Sequence, residues 1–329
     1  MFRKYIALLS ILMVITGCSS EDDVINLRIG HALDEQHSVH QAMVYMGERL
    51  SYYSDNQMQI SLYPNAQLGS EREMLELLQI GSLAMTKVSA AAIEGFVPEM
   101  KIYGVPYLFR DNKHRWAVLQ SDIGKTILGA TDKAHLTGMG YYDAGSRSFY
   151  TSKQRVETPS DLSGQKIRVM QSPSAVNMVN TMGGSATPIS FGELYTALQQ
   201  GVVDGAENNP PSFFLSRHYE ISNYYVLDEH TSVPDVIVAS KHIFENLTPQ
   251  QQEWLQLAVD DSIELQKRLW SELEERSLNE VKAAGVEVIY PDKQPFVDSV
   301  QSLYKSHEGT IIGEFIKQIK AMEQEVPNE

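Results

Sequence analysis

Arg147, Arg168 and Asn208 are the residues of this chain whose types and placement could act on a small anion. Arg168 falls near the end of Gly164-Gln165-Lys166-Ile167-Arg168-Val169, an apolar-alternating run of strand type, and Ser172 with Pro173 then reads as a cap followed by a proline at the first helical position. Asn208 stands in the polar turn Asp204-Gly205-Ala206-Glu207-Asn208-Asn209. Arg147 comes directly after Ala144-Gly145-Ser146, small residues that break a strand. A guanidinium presents a planar fork that grips a carboxylate through two charge-assisted hydrogen bonds, and an amide both donates and accepts. A plainer reading stands beside this one: both arginines form surface ion pairs on an acidic protein, and Phe191 belongs to a core.

Other chemistries find less support. There is no G-x-S-x-G elbow, and the single cysteine, Cys18, is taken up by an export signal, so no nucleophile announces itself. Asp228 and Glu229 could serve as acid and base, but adjacent carboxylates in a loop are usually solvated. His31, His37 and His40 could in principle hold zinc, yet no cysteine or clear third ligand lies near them. Asn246-Leu247-Thr248 fits a glycosylation sequon, although Thr248 as a helix cap is sufficient explanation. The expectation is a protein that is not an enzyme, with no metal and no cofactor.

The elements that position these residues follow an α/β rhythm. A strand at 24–29 leads to a helix opened by Ser38 and Gln41 as a capping box, with Val39, Ala42, Met43, Met46, Leu50 and Tyr53 on one stripe. A second strand, 58–62, is followed by the box Ser70 with Glu73 and a helix that stops at Gly81. Two βα units in succession predict parallel strands. Strands at 84–88 and 136–142 come next, with a small-residue loop at 89–92 and helices around Trp116, Leu119, Ile123 and Leu128 between them. Ser190 and Glu193 open a helix that stops at Gly201, and strands at 224–227 and 233–239 follow.

Thr248-Pro249-Gln250-Gln251 starts a helix whose apolar spacing continues to Gly285, unless it breaks in two around 266–268. A last strand at 286–289 and closing helices at 296–304 and 311–322 complete the chain. The chain crosses between two domains just before Arg147 and returns near Val233. The expected division is 24–146 with about 233–270 in one lobe, and 147–232 with about 271–329 in the other.

A chain of 329 residues with 43% apolar content can bury two medium cores. Its formal charge of −15 argues against nucleic acid, whose phosphate backbone needs a basic surface, but not against a small anion held by a few gathered arginines. Residues 1–17 read as an export signal: Arg3 and Lys4, then an apolar run at 5–15 too short to span a bilayer, then Thr16-Gly17-Cys18. Ile15-Thr16-Gly17-Cys18 resembles a lipobox, which would make Cys18 the lipidated N-terminus. Its acyl chains would hold the protein at a membrane by burying methylenes worth roughly 0.8 kcal/mol each. Ordinary cleavage near Cys18 is the alternative, leaving a protein free in the periplasm.

Four blocks resemble the signatures of TRAP-transporter solute-binding proteins of the DctP type: Leu68-Gly69-Ser70-Glu71-Arg72-Glu73-Met74, 164–169, Tyr195-Thr196-Ala197-Leu198-Gln199, and Gly201-Val202-Val203-Asp204-Gly205-Ala206-Glu207-Asn208. The likeness runs from about Val24 to about Ile319. It implies an α/β fold, a two-lobed clamp of the periplasmic-binding-protein kind with a long helix across both lobes. It also implies capture of an organic acid for the small and large membrane subunits of a TRAP permease.

By the same resemblance Arg168 makes the main carboxylate salt bridge, Arg147 is the second arginine, and Asn208, Phe191, Glu71 and Ser89 are pocket positions. Sialic-acid-binding members carry an acidic residue where this chain has Ser89, whereas 204–217, His218-Tyr219-Glu220 and Leu227-Asp228-Glu229-His230-Thr231 are similar to hexuronate-binding members. His31, Glu71, Ser89 and Gln171 are then candidates for the sugar hydroxyls. Another organic acid (sialic acid, aldonate, C4-dicarboxylate or keto acid) remains an alternative, as does an exported hydrolase or lyase acting on uronates.

Overall fold

Residues with side chains on alternate faces of a strand explain why the chain forms two sheets that are each covered on both sides. The computed structural model describes residues 24–322, so the leader and Cys18 lie outside the described residues. The first sheet has the order β2-β1-β3-β10-β4, with β1 Ile25–Gly30, β2 Met58–Tyr63, β3 Met85–Ser89, β4 Leu136–Tyr142 and β10 Asp235–Ser240. The second has the order β11-β9-β5-β8-β6-β7, with β5 Arg147–Thr151, β6 Lys166–Val169, β7 Ser185–Pro188, β8 Gly205–Asn208, β9 Tyr224–Thr231 and β11 Glu287–Ile289. In β10, Val236 and Val238 enter one apolar cluster and Ile237 and Ala239 the other, which is why that strand reads as a continuous apolar run.

β1 pairs in parallel with β2 and β3, as two successive βα units require. The strands that follow each change of sheet behave differently. β5 runs antiparallel to β8 and β9, and β10 runs antiparallel to β3 and β4. Sheet membership switches between Tyr142 and Arg147 and again between Thr231 and Asp235. At the first switch Gly145 has φ +57, and a Cβ there would stand 2.5 Å from the Glu274 carboxylate and 3.0 Å from the Trp270 ring. Only glycine lets the connection pass this closely under the long helix.

That helix, Pro249–Ala283, is 35 residues long and, at 1.5 Å per residue, reaches about 50 Å. Thr248 and Gln251 form the capping box and Pro249 takes the first position. Leu255, Ala258 and Val259 pack into the first sheet's core, whereas Val281 enters the second sheet's core. The helix is unbroken at 266–268 because the polar Gln266 is buried with both ends of its amide hydrogen-bonded. Its Oε1 accepts from the Asp143 amide and its Nε2 donates to the Asp143 carbonyl, each at 2.8 Å. Gln266→Ala therefore leaves two buried backbone groups unpaired, and urea unfolding is expected to show a loss of about 2–4 kcal/mol. A loss below about 0.5 kcal/mol would mean that water replaces the side chain there.

The Ser70–Glu73 and Thr248–Gln251 boxes form in full. The first long helix, Ser38–Tyr53, is instead capped by His37, whose Nδ1 accepts from the Val39 amide at 3.2 Å, and Ser38 lies inside it with a buried Oγ that has no partner. Ser190 and Glu193 meet side chain to side chain, and the turn they share, Phe191–Glu193, is 3₁₀ before the helix Leu194–Gln199 begins. The stretch expected as a small-residue loop contains a helical turn, Ala90–Ile93, capped by Ser89. The closing helix Ile311–Met322, expected with the second lobe, buries Ile312, Phe315, Ile316 and Ile319 in a core of the first. Its apolar stripe specifies that one face is covered, but not by what. Among the described residues no helix is long and apolar enough to cross a membrane.

Candidate binding site

A cavity of about 570 Å³ opens between the two sheets and receives side chains from both. From the second lobe it is lined by Arg147, Arg168, Met170, Phe191 and Asn208, from the first by Glu71, Lys87, Ser89 and Asp235, and from the long helix by Trp270. Ala66 and Gly192 line it from loops of the two lobes, and a Cβ added at Gly192 would come 4.0 Å from that of Ala66.

Arg168 owes its place to strand alternation. Ile167 and Val169 point into an apolar cluster, so Arg168 between them faces the other way. Its Nε donates to the Ile189 carbonyl at 2.9 Å, but Nη1 is buried without a partner and the residue is 2% exposed. Among the described residues no ion pair forms to it, although the charges of Glu207 and Glu71 act on it from further away. Burial, with Arg147 adding like charge, lowers its pKa, although a guanidinium starts so high that it stays charged. A buried cation without a counter-charge is unfavourable by several kcal/mol, so this position favours an anion strongly. The Phe191 ring lies 5.9 Å from the guanidinium carbon and walls that side.

Arg147 also lines the cavity, but its charge is already matched. Its Nε donates to Glu207 Oε2, its Nη2 to Glu207 Oε1 at 3.0 Å and to the Glu207 carbonyl at 2.8 Å, and its Nη1 to Asn208 Oδ1 at 3.0 Å. One Nη1 hydrogen remains uncommitted. Asn208 Oδ1 accepts from Arg147 and from the Asn209 amide, which leaves Nδ2 without a hydrogen bond in the protein. Behind this pair sits His230, fully buried, with Nδ1 2.9 Å from Asp228 Oδ2 and Nε2 3.5 Å from Glu207 Oε2. Burial alone would lower the His230 pKa, yet the two carboxylates outweigh it and raise it to about 9. Burial would likewise raise Glu207, but Arg147 and His230 hold it down to about 2.

A histidine raised above its unfolded value of about 6.5 contributes stability that is complete below that pH and lost as pH rises through 9. Its worth is roughly 3 kcal/mol. Thermal unfolding of the wild type is expected to move down between pH 6.5 and 9, and His230→Gln should flatten that slope. An unchanged slope in the variant would assign the effect elsewhere.

On the first lobe, Glu71 Oε1 accepts from the Ser89 amide at 3.1 Å and lies 3.5 Å from Lys87 Nζ, which is 2.8 Å from Asp235. Lys87 and Asp235 escaped the sequence reading. The available signal was a lysine inside the otherwise uncharged strand sequence Met85-Thr86-Lys87-Val88. Gln171 stands exposed at the cavity's edge. His31 is not brought to the cavity: it is buried, with Nε2 3.0 Å from His40 Nδ1 and Nδ1 accepting from Leu33. His37 lines it instead. Its Nδ1 serves the helix cap, so the proton sits on Nε2, and that buried donor has no partner. Burial, then the charge of Lys87, lowers its pKa and keeps it neutral. Among the described residues no group of three or more histidines, cysteines or carboxylates could hold a metal ion.

Two lobes joined by strand crossings and one shared helix, closing on an unmatched cation, define a two-lobed solute-binding clamp. Residues 29–310 match the model of bacterial extracellular solute-binding protein family 7, and the chain belongs to this DctP family of TRAP solute-binding proteins. It is 38% identical over 280 residues to YiiZ of Salmonella typhimurium, covering 84% of this chain and 85% of that protein. Among solved structures it is similar to a TRAP periplasmic solute-binding protein from Bradyrhizobium in complex with α/β-D-galacturonate (38% identity, TM-score 0.88, 90% and 99% of the two chains). One from Anaerococcus prevotii with bound α/β-D-glucuronate is 36% identical, with a TM-score of 0.90 over 92% and 100% of the chains.

Proposed function

We propose that this protein captures a hexuronate, D-glucuronate or D-galacturonate, between its lobes and delivers it to the small and large membrane subunits of a TRAP permease. The observation that carries this is Arg168, whose guanidinium lines a cavity large enough for one monosaccharide and has no ion pair among the described residues, only its Nε being hydrogen-bonded, to the Ile189 carbonyl. Arg168 takes the carboxylate, with the free Nη1 hydrogen of Arg147 and Nδ2 of Asn208 beside it. Glu71, Ser89, Gln171 and His37 serve the hydroxyls. The hexuronate-bound relatives support the substrate class. Hinge closure at the two strand crossings excludes water, which strengthens each charged hydrogen bond. Micromolar to nanomolar binding corresponds to about −8 to −12 kcal/mol. The protein acts without turnover, on the outer side of the cytoplasmic membrane, and the lipobox-like sequence supports acylation of Cys18.

The test is a thermal-shift screen over hexuronates, aldonates, sialic acid, C4-dicarboxylates and keto acids. A ligand at one hundred times its dissociation constant stabilises by about 2.7 kcal/mol. Shifts confined to non-uronate acids would replace the substrate, and product accumulating on chromatography would replace binding by catalysis. Mass spectrometry of the membrane fraction reads the acylation.

A further inference from the structure

We propose that the cleft is built for a mono-anion. On this view the Glu71–Lys87–Asp235 cluster opposite Arg168 rejects sugar acids that carry a second carboxylate at the far end. This rests on the hexuronate reading and names what sets its selectivity. Of the two arginines that line the cavity from the second lobe, Arg147 is offset by Glu207, with His230 behind it offset by Asp228, whereas Arg168 has no ion pair among the described residues. On the first lobe one ammonium, Lys87, faces two carboxylates, Glu71 and Asp235, so with both ionised that wall holds one negative charge in excess; burial raises the Asp235 pKa against the pull of Lys87, and Glu71 adds to the rise. All three are largely shielded from solvent, with side-chain exposures of 3% for Lys87, 8% for Asp235 and 19% for Glu71, so water screens that excess poorly.

The remaining charged side chains at the cavity do not supply another cation. Arg72 is half-exposed, lies 3.2 Å from Glu76 and stacks 5.2 Å over Phe96. Glu73 accepts from the Ser70 amide and hydroxyl, and Glu193 accepts from the Ser190 hydroxyl. A ligand with a carboxylate at one end and hydroxyls at the other matches both walls, since hydroxyls donate to carboxylates. Oxidising the far end to a carboxylate removes those donors and sets a buried anion against a wall of the same sign.

The experiment is calorimetry of the processed chain at pH 7.5 with D-glucuronate and D-galacturonate, and with their aldarates, D-glucarate and galactarate. Each aldarate is expected to bind at least a hundredfold more weakly than its uronate. An aldarate within tenfold of its uronate overturns this inference and leaves the hexuronate reading standing, whereas no binding of either uronate removes both. Asp235→Asn makes the first-lobe wall neutral and should narrow the ratio about tenfold by strengthening the aldarate. Equal weakening of both acids would show a merely structural role and overturn the assignment. Should that variant fail to fold, Glu71→Gln, at a more exposed position, also makes the wall neutral: it should weaken the uronate by loss of a hydroxyl contact and still narrow the uronate-to-aldarate ratio, and an unchanged ratio there overturns the assignment.

Discussion

Replacing Arg168 by alanine is expected to weaken acid binding by at least a thousandfold while leaving the protein folded. Among the described residues the guanidinium makes one hydrogen bond, to the Ile189 carbonyl, and has no ion pair to lose. Its removal relieves a buried, uncompensated charge, so the unliganded protein should hold its urea midpoint or gain slightly. The bound state loses the group that neutralises the carboxylate, and truncating one partner of a buried charge pair costs 2–5 kcal/mol or more. Arg168→Lys should recover only part of the affinity, because an ammonium is a point charge without the bidentate fork. Calorimetry on the folded alanine variant decides the matter, and tight binding retained there would sink the assignment of Arg168.

Glu207→Ala has its large effect on stability instead. Glu207 is 1% exposed and accepts from Arg147 through both carboxylate oxygens, with His230 3.5 Å from one of them. Without it two buried cations face Asp228 alone, and breaking such a pair costs about 3–5 kcal/mol. The urea midpoint should fall accordingly. Uronate affinity should fall too, since Arg147 and Asn208 lose the group that orients them. Glu207→Gln keeps the shape and one acceptor, and its stability should lie between the two. A midpoint unchanged in the alanine variant would mean that water or a rearranged Asp228 takes over.

Much of the local structure was legible because its causes are local. The boxes at Ser70 and Thr248 act within four residues, and the stripe from Val39 to Leu50 is buried as its spacing demands. Where local signals competed, packing decided. His37 took the cap expected of Ser38, and Phe191–Glu193 wound as 3₁₀ although the residues of a capping box were present. Gln266, a polar residue amid an apolar stripe, left a break in the long helix open as an alternative because its partner Asp143 lies 123 residues away.

The site divides the same way. Strand alternation around Ile167 and Val169, with the resemblance of four sequence blocks, was enough to single out Arg168, Arg147 and Asn208 as candidates for the anion, and the fold brings all three to the cavity. Those are properties of residue order, and they determined the fold family and the sign of the ligand. Three features depended on contacts between residues far apart in the chain: Arg168 is left unmatched while Arg147 is spent on Glu207, His37 rather than His31 reaches the cavity, and Lys87 lies between Glu71 and Asp235. Charge balance in a buried cleft is set by distances of a few ångströms between distant segments, and only the packed tertiary structure brings them together.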